Sequence, residues 1–250
     1  MPDLFERRWP IATAKGAVVI VHGLGEHSGR YEYVARALNE AGYAVFAQDA
    51  RGHGQSVGFP GDMGGDLNQV IADVVEFCTR VRAEHEAVFC LAHSMGTLFA
   101  LPAVAQMATG TLRGLVLSGT VGAPGPASET LMTEGKVPPE AVSRDPDVVK
   151  AYVDDPLVFE TVPAKLLELA GEVTAKYFEA IPMTSIPTLF IHGEEDLLCG
   201  LAGAQMVHTQ LVTTDKTLRT YPGLFHEVLN EPEKDQVIAD VVGWLDAHLD

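Results

Sequence analysis

The chain has 250 residues, enough for one large domain or two small ones, and 47% of them are apolar, which is ample for a continuous core. Its 34 acidic residues outnumber its 17 basic residues, for a net charge of −17 at pH 7, and this negative field excludes the nucleic-acid-binding class. The N-terminal MPDLFERRWP lacks the pattern of a signal peptide, and the longest obvious apolar run, Ala17–Val21, is too short to span a bilayer. We therefore expect a cytoplasmic protein without an integral membrane segment.

Short apolar segments alternate along the chain with longer segments of helical periodicity, a pattern typical of strand–helix–strand units around a mainly parallel sheet. Most of the predicted strands are almost entirely apolar, as strands buried on both faces should be. Helices are predicted between them and in the C-terminal segment, where apolar residues recur from Val237 to Leu249. The predicted strands are Ala17–His22, Tyr43–Gln48, Ala87–Ala92, Gly114–Gly119, Thr188–Gly193 and Thr217–Tyr221.

One interval interrupts this alternation. Residues 120–186 contain no clear buried strand, but they hold many prolines and two helical stretches, near Asp147–Val153 and Ala164–Ile181. We interpret this interval as an inserted, mainly helical cap on a core formed by residues 1–119 and 187–250. With more acids than bases, the cap offers anionic membranes no electrostatic attraction.

The segment AHSMG, residues 92–96, directly follows a predicted buried strand and directly precedes a helix-like segment. A serine at such a strand-to-helix turn is held in a strained conformation that raises its hydroxyl above the sheet, and small residues two positions to either side let strand and helix approach. Ala92 and Gly96 meet this requirement. Ser94 is therefore the candidate nucleophile.

A serine hydroxyl is scarcely ionised at neutral pH, so it needs a base within hydrogen-bond reach and a carboxylate that orients the base. Asp196 lies just beyond the strand Thr188–Gly193, and His226 follows the last predicted strand, which gives the chain order Ser, Asp, His. Glu194 and Glu195 compete with Asp196, Glu195 more strongly. We prefer Asp196 because two further residues extend its loop toward the rim of the sheet.

The other histidines indicate no metal site. The sequence has no HExxH motif, and His22 and His27 have no clustered carboxylates around them, so neither a metal nor any other cofactor is expected. His22 and His192 end predicted strands and are expected to be hydrogen-bonded structural residues. His93, as the neighbour of Ser94 in sequence, is expected to point away from the nucleophile.

A negatively charged tetrahedral intermediate requires fixed hydrogen-bond donors. Two backbone amides are candidates: that of Met95, directly after the serine, and that of Leu24 in HGLGE, where Gly23 and Gly25 permit a tight turn. A nucleotide-binding loop would need a third glycine where Ser28 stands, and no Walker lysine is present.

Five segments together resemble the monoglyceride lipase and lysophospholipase group of the α/β-hydrolase family: HGLGEHSGRYEYVARAL, GYAVFAQDARGHGQS, AHSMGT, HGEEDLLC and the histidine of YPGLFHEV. The resemblance covers the chain on both sides of the cap and implies the α/β-hydrolase fold. It also implies Ser94, Asp196 and His226 as a catalytic triad, with Leu24 and Met95 as oxyanion donors. The chain departs from the group at Ala92, Thr97 and Ala50, where glycine, a second glycine and a larger residue are usual.

These features predict a serine carboxylester hydrolase, and the resemblance implies monoacylglycerols or similar single-chain fatty acyl esters as substrates. A serine peptidase, a thioesterase or an acyltransferase could use the same triad, and a non-catalytic hydrolase-fold binding protein is a further alternative. The expected partner is the small acyl ester alone, with at most a transient contact between the cap and lipid. The protein is expected to be a monomer or a weak homo-oligomer.

Two further hypotheses concern residues near the predicted site. Cys199, three residues beyond Asp196, could lie close enough to the site for a thiol reagent to inhibit, although a buried, unreactive thiol is the favoured alternative. The odd number of cysteines, three, and the lack of a CxxC pair argue against a disulfide framework. Glu26 and Arg30 are expected to form a polar pair on the side of the leaving alcohol.

Overall fold

The computed structural model describes residues 4–58, 60–64 and 66–249. Within them seven strands form one sheet in the order β1-β3-β2-β4-β5-β6-β7, in which β1 is antiparallel to β3 and every other neighbouring pair is parallel. The strands are β1 (Glu6–Trp9), β2 (Gly16–Val21), β3 (Tyr43–Gln48), β4 (Val88–His93), β5 (Gly114–Ser118), β6 (Thr188–Gly193) and β7 (Lys216–Tyr221).

All six predicted strands are present, each within a residue of its expected bounds. β1 was not predicted, because its sequence ERRW carries three charged residues and lacks the apolar run of a buried strand. Its position at the sheet edge explains this composition, since an edge strand needs to bury little of its surface.

Helices cover both faces of the sheet. Helices α1 and α8 pack on the face that includes Phe89 and Leu91, while α2, α3, α6 and α7 pack on the face that includes Cys90 and Ala92. This alternation along β4 is the period of a strand buried on both sides. The helices are α1 (Glu32–Glu40), α2 (Leu67–Glu84), α3 (Met95–Gln106), α4 (Ser128–Glu134), α5 (Pro146–Asp154), α6 (Ala164–Ala180), α7 (Leu201–Gln210) and α8 (Lys234–Ala247).

The interval 120–186 is helical, as the sequence predicts, and contains α4 in addition to the two expected helices. Short 3-10 helices lie at Pro139–Ala141 and Ile181–Met183, and a third, Ser28–Tyr31, precedes α1. Helix α6 packs against α3, and the Tyr177 hydroxyl donates a hydrogen bond to the carbonyl oxygen of Val121. No helix among the described residues is long and apolar enough to cross a membrane.

The strand order reverses at β2, because β3 lies on one side of it and β4 on the other. In parallel α/β sheets, ligands bind beyond the carboxyl ends of the strands at such a reversal. The loops that follow β2 and β4 begin with His22 and Ser94, so the candidate nucleophile lies at this position.

Candidate active site

Ser94 occupies a strained turn between β4 and α3. Its backbone angles are φ 51° and ψ −122°, and it is the one non-glycine residue with positive φ in the described part of the chain. A Cβ on Gly96 would overlap the carbonyl oxygens of Val21 and His22, so glycine is required for α3 to start this close to β2. Ala92 is fully buried, so the core accommodates its methyl group at this position of the turn.

Asp196 and His226 are joined by a direct hydrogen bond. His226 Nδ1 lies 2.8 Å from Asp196 Oδ2, and both side chains are buried. The other carboxylate oxygen, Oδ1, accepts hydrogen bonds from the backbone N–H groups of Leu198 and Cys199 at 2.9 and 2.8 Å. The turn after β6 therefore fixes the carboxylate, and the carboxylate fixes the imidazole. Glu195 is exposed and makes none of these contacts.

The two groups shift each other's pKa in the directions expected of an ion pair. Burial opposes a charge on Asp196, but the attraction and hydrogen bond of His226 outweigh it and lower the pKa of the carboxyl. Burial likewise opposes protonation of His226, yet the nearby carboxylates of Asp196, Glu227 and Glu26 together raise its pKa above the ordinary value. His226 is thus a stronger base than an isolated imidazole.

Ser94 and His226 line the same cavity, of about 490 Å³, together with Leu24 and Met95. The structure shows no hydrogen bond between the Ser94 hydroxyl and the His226 ring within residues 4–58, 60–64 and 66–249. Such bonds are often long or poorly aligned in ligand-free enzymes and tighten when substrate binds. Leu24, Ser94, Met95 and His226 thus all line this one cavity, and Asp196 is connected to it by its hydrogen bond to His226.

The loop after β2 packs against the nucleophile. A Cβ on Gly23 would lie 3.2 Å from Ser94 Cβ, so Leu24 follows directly after a residue in contact with the serine. The Gly23 N–H donates to Glu26 Oε1 at 2.6 Å, and the Gly25 carbonyl accepts from the Phe159 N–H at 2.9 Å. Phe159 belongs to the interval 120–186, so this interval helps to hold the loop.

The predicted pair of Glu26 and Arg30 is present, with Arg30 Nη1 donating to Glu26 Oε2 at 2.9 Å. The further partners of Arg30 were not predicted from the sequence. Arg30 also donates to both carboxylate oxygens of Glu227, at 2.6 and 2.8 Å. Its Cζ lies over the aromatic ring of Tyr152 in α5, 4.8 Å from the ring centre. Burial would raise the pKa of Glu26, but the charge of Arg30, with smaller effects from His93, His22 and the Tyr31 hydroxyl, lowers it to about 2.

His93 does not point away from the site, contrary to the expectation from sequence. Its ring centre lies 4.7 Å from that of His226, and its Nδ1 is 3.1 Å from Ser118 Oγ. Burial, followed by repulsion from His226, lowers the pKa of His93 to about 4, so it stays neutral beside the catalytic candidate. His93 is the last residue of β4, and its ring lies between Ser118 and His226.

Cys199 also lines the cavity. Burial, with a further contribution from Asp196, raises the pKa of its thiol well above the ordinary value, which favours an unreactive protonated thiol. Within the described residues no three His, Cys, Asp or Glu side chains are grouped closely enough to hold a metal ion.

Comparison with known proteins agrees with this geometry. The profile of the family described as serine aminopeptidase, S33, matches residues 12–233. The chain is 36% identical to a monoacylglycerol lipase of Mycolicibacterium smegmatis, over 96% of this chain and 91% of that protein. It is 31% identical to the monoglyceride lipase of Homo sapiens, over 97% of this chain and 86% of the human enzyme.

Among solved structures, the monoacylglycerol lipase of Paleococcus ferrophilus superposes with a TM-score of 0.85 at 28% identity, covering 98% of this chain and 99% of that one. The matched lengths show that the similarity extends over both the sheet and the interval 120–186. With its parallel sheet and the elbow at Ser94, the chain has the α/β-hydrolase fold and belongs to the serine aminopeptidase S33 family of hydrolases.

Proposed function

We propose that the protein is a serine carboxylester hydrolase that cleaves monoacylglycerols or similar single-chain fatty acyl esters, with Ser94, His226 and Asp196 as its triad. The observation that carries this proposal is that the strained serine and the buried Asp196–His226 pair meet at one cavity with a largely apolar wall. The names of the M. smegmatis and human relatives support the same substrate class.

In the proposed mechanism Ser94 Oγ attacks the ester carbonyl carbon while its proton passes to His226 Nε2. The tetrahedral intermediate collapses, the bond to the leaving alcohol breaks, and the alcohol takes the proton from His226. Water then attacks the acyl carbonyl carbon while His226 Nε2 takes its proton. The bond between the acyl carbon and Ser94 Oγ breaks, Ser94 Oγ receives that proton from His226, and the fatty acid leaves. Asp196, bound to Nδ1, keeps Nε2 free to accept the proton.

The N–H groups of Leu24 and Met95 are the proposed oxyanion donors. Met95 is the first residue of α3, where backbone N–H groups have no partner within the helix and the helix dipole favours negative charge. Leu24 lines the same cavity as Ser94 and lies in the loop that contacts Ser94 through Gly23. No cofactor is needed for these steps.

The wall of the cavity supports a fatty acyl chain. Aliphatic side chains from α3 and from the interval 120–186 surround it, and its volume of about 490 Å³ lies within the usual range of ligand pockets, about 300–1,000 Å³. The apolar side chains on this wall include Leu98, Phe99, Val121, Leu131, Val142 and Leu166.

The polar end of the cavity supports an uncharged leaving alcohol. Glu26, Arg30 and Glu227 line it together, and two carboxylates against one guanidinium leave a net charge of −1 (1 − 2 = −1). Arg30 already binds both carboxylates, and it is the one Lys or Arg among the described lining residues. A phosphate on the alcohol would meet repulsion there, which favours monoacylglycerols over lysophospholipids.

Aminopeptidase activity is the second candidate. The family description names it, and the carboxylates of Glu26 and Glu227 could in principle bind a free amine. Their pairing with Arg30 and the aliphatic cavity wall favour the ester. Thioesterase and acyltransferase activity use the same triad and differ only in the leaving or accepting group, whereas a binding protein without turnover has no need of the strain at Ser94.

The remaining parts of the proposal concern the cap and the cellular context. Residues 120–186 form the cap and residues 1–119 and 187–250 the core. Met132 and Val153, both more than half exposed on cap helices, support transient contact with lipid. The free cysteines suit a cytoplasmic location, and we propose a monomer or weak homo-oligomer.

The test combines labelling with a matched substrate series. The wild type should react with a fluorophosphonate and Ser94→Ala should not. Monoacylglycerols of graded chain length should then be hydrolysed faster than lysophosphatidic acid and lysophosphatidylcholine with the same acyl chain, and faster than leucyl and prolyl arylamides. Folded wild-type protein that resists labelling would refute the serine hydrolase, while arylamides as the best substrates would establish the peptidase instead.

A further inference from the structure

We propose that Glu231 is a positioning residue for His226: its buried carboxylate joins the backbone N–H directly before the base to Arg144 of the interval 120–186, and this link holds the imidazole where it can exchange protons. The inference rests on the proposed function, in which His226 is the base. His226 lies between β7 and α8, outside every helix and strand that the structure describes, so no regular backbone pattern fixes it.

Both carboxylate oxygens of Glu231 accept hydrogen bonds. Oε1 accepts from the Phe225 N–H at 3.0 Å and from the Arg144 N–H at 3.1 Å. Oε2 accepts from Arg144 Nε at 2.9 Å, and the Glu231 side chain is 0% exposed. One buried carboxylate therefore bridges the residue directly before His226 and a residue of the interval 120–186.

The residue directly after His226 is held by the same interval. The Glu227 N–H donates a hydrogen bond to the carbonyl oxygen of Val142 at 2.8 Å. The backbone is thus fixed on both sides of His226, by Glu231 before it and by Val142 after it. Val142 also lines the cavity together with His226, so residues 142–144 both hold the base and adjoin the space for substrate.

The hydrogen bond to Asp196 does not fix the imidazole by itself. It holds Nδ1, whereas protons are exchanged at Nε2 on the other side of the ring, and a ring held by one hydrogen bond can pivot about it. A displacement of about 1 Å at a reacting group can lower a rate by about 100-fold. Backbone bonds on both sides of His226 restrict this pivot, because they fix the Cα from which the ring extends.

The charge of Glu231 is the alternative to its position. Burial raises the pKa of the Glu231 carboxyl, even though the bonds from Phe225 and Arg144 lower it, so the negative charge is costly to hold there. The pKa of His226 is raised by three other carboxylates, named above. We therefore assign to Glu231 an effect on the position of the base through the backbone.

Two conservative substitutions separate position from charge. Glu231→Asp keeps the negative charge, but its side chain is shorter by one methylene, about 1.5 Å, so it cannot reach the Phe225 N–H while it also binds Arg144. Glu231→Gln loses the charge but keeps Oε1 at full length for the Phe225 N–H. It loses only the bond to the Arg144 side chain, because its amide nitrogen and Arg144 Nε are both donors. Arg144→Met loses the same side-chain bond and is the matched control.

We expect Glu231→Asp to lower kcat for a monoacylglycerol by about 10- to 100-fold with KM changed less than about threefold, because proton exchange is impaired and substrate binding is not. The rate constant of fluorophosphonate labelling should fall by a similar factor. The midpoint of the acidic limb of kcat/KM should move down toward 6.5, because the bond between His226 and Asp196 loosens. Glu231→Gln and Arg144→Met should each keep kcat within about fivefold of the wild type and keep its midpoint.

The inference is wrong if Glu231→Asp keeps the wild-type kcat and midpoint while only its melting temperature falls, since Glu231 would then stabilise the fold without positioning the base. It is equally wrong if Glu231→Gln loses as much kcat as Glu231→Asp, since the effect would then depend on charge. A further comparison does not require Glu231→Asp to fold. The double variant Arg144→Met/Glu231→Gln should lose no more kcat than either single variant, because both remove the same bond, and losses that multiply would overturn the link.

These outcomes are distinct from failure of the proposed function. A wild type that neither reacts with a fluorophosphonate nor hydrolyses esters overturns both proposals, whereas an active wild type with an unimpaired Glu231→Asp variant overturns this one alone.

Discussion

His226 Nδ1 lies 2.8 Å from Asp196 Oδ2, so the loops after β6 and β7 are joined at the wall of the cavity that also contains Ser94. Because both side chains are buried, the hydrogen bond is shielded from water. His226 keeps Asp196 ionised, and Asp196 makes His226 a stronger base. This pair is the basis for predictions about rate, about the identity of the acid and about pH.

Loss of the nucleophile or the base should abolish ester hydrolysis. Ser94→Ala and His226→Ala should each lower kcat by about 10⁴-fold or more, because the two residues act as one unit in the attack. The double variant should lose little more than either single one. Steady-state kinetics with a monoacylglycerol provides the measurement, and losses that multiply in the double variant would show that the residues act separately.

The identity of the acid can be tested with two neighbouring carboxylates. Asp196→Asn keeps the size of the side chain but removes its charge and should reduce kcat by about 10⁴-fold. Glu195 is exposed, whereas Asp196 is the residue hydrogen-bonded to His226, so Glu195→Gln, the matched control, should retain kcat within about threefold. A severe loss in the control with a mild one in Asp196→Asn would reverse the assignment.

The pH dependence follows from the raised pKa of His226. His226 accepts a proton only when it is neutral, so activity should increase as the pH rises through its pKa and be lost below it. Since the neighbouring carboxylates outweigh burial, the acidic limb of kcat/KM should have its midpoint above the ordinary histidine value of 6.5. A pH profile with an uncharged ester measures it, and a midpoint well below 6.5 would contradict the geometry.

Gly96 should be intolerant of even a methyl group. The Cβ of Gly96→Ala would overlap the carbonyl oxygens of Val21 and His22, and we expect the free energy of unfolding to fall by about 2–3 kcal/mol. Gly243→Ala on α8 is the control, because its new Cβ has no atom within 4 Å apart from its chain neighbours and the backbone of its own helix, and it should raise stability by up to about 1 kcal/mol. Denaturant titration measures the free energy of unfolding of both variants. Equal values for the two would contradict the steric conflict described at Gly96.

The sequence predicted the buried strands and the converging ends of the loops, because both leave local patterns: an apolar run in one case, a reactive residue just beyond a strand in the other. It missed β1, whose pairing with β3 needs no apolar run. It also missed Glu227 as a partner of Arg30, since the two are 197 residues apart and their contact depends on how the loops fold over the sheet. It missed the proximity of His93 to His226 as well, because the two residues lie 133 residues apart in the sequence (226 − 93 = 133), and their contact depends on how the end of β4 meets the loop after β7.

The φ of 51° at Ser94 has a consequence for heat resistance. A side chain in this conformation costs on the order of 1–3 kcal/mol, and glycine would relieve much of that strain. Ser94→Gly should therefore be inactive yet melt at a higher temperature than Ser94→Ala, which keeps the Cβ. The need for a reactive hydroxyl thus limits the thermal stability that this turn can contribute. A more heat-stable enzyme would need stabilising substitutions elsewhere in the chain.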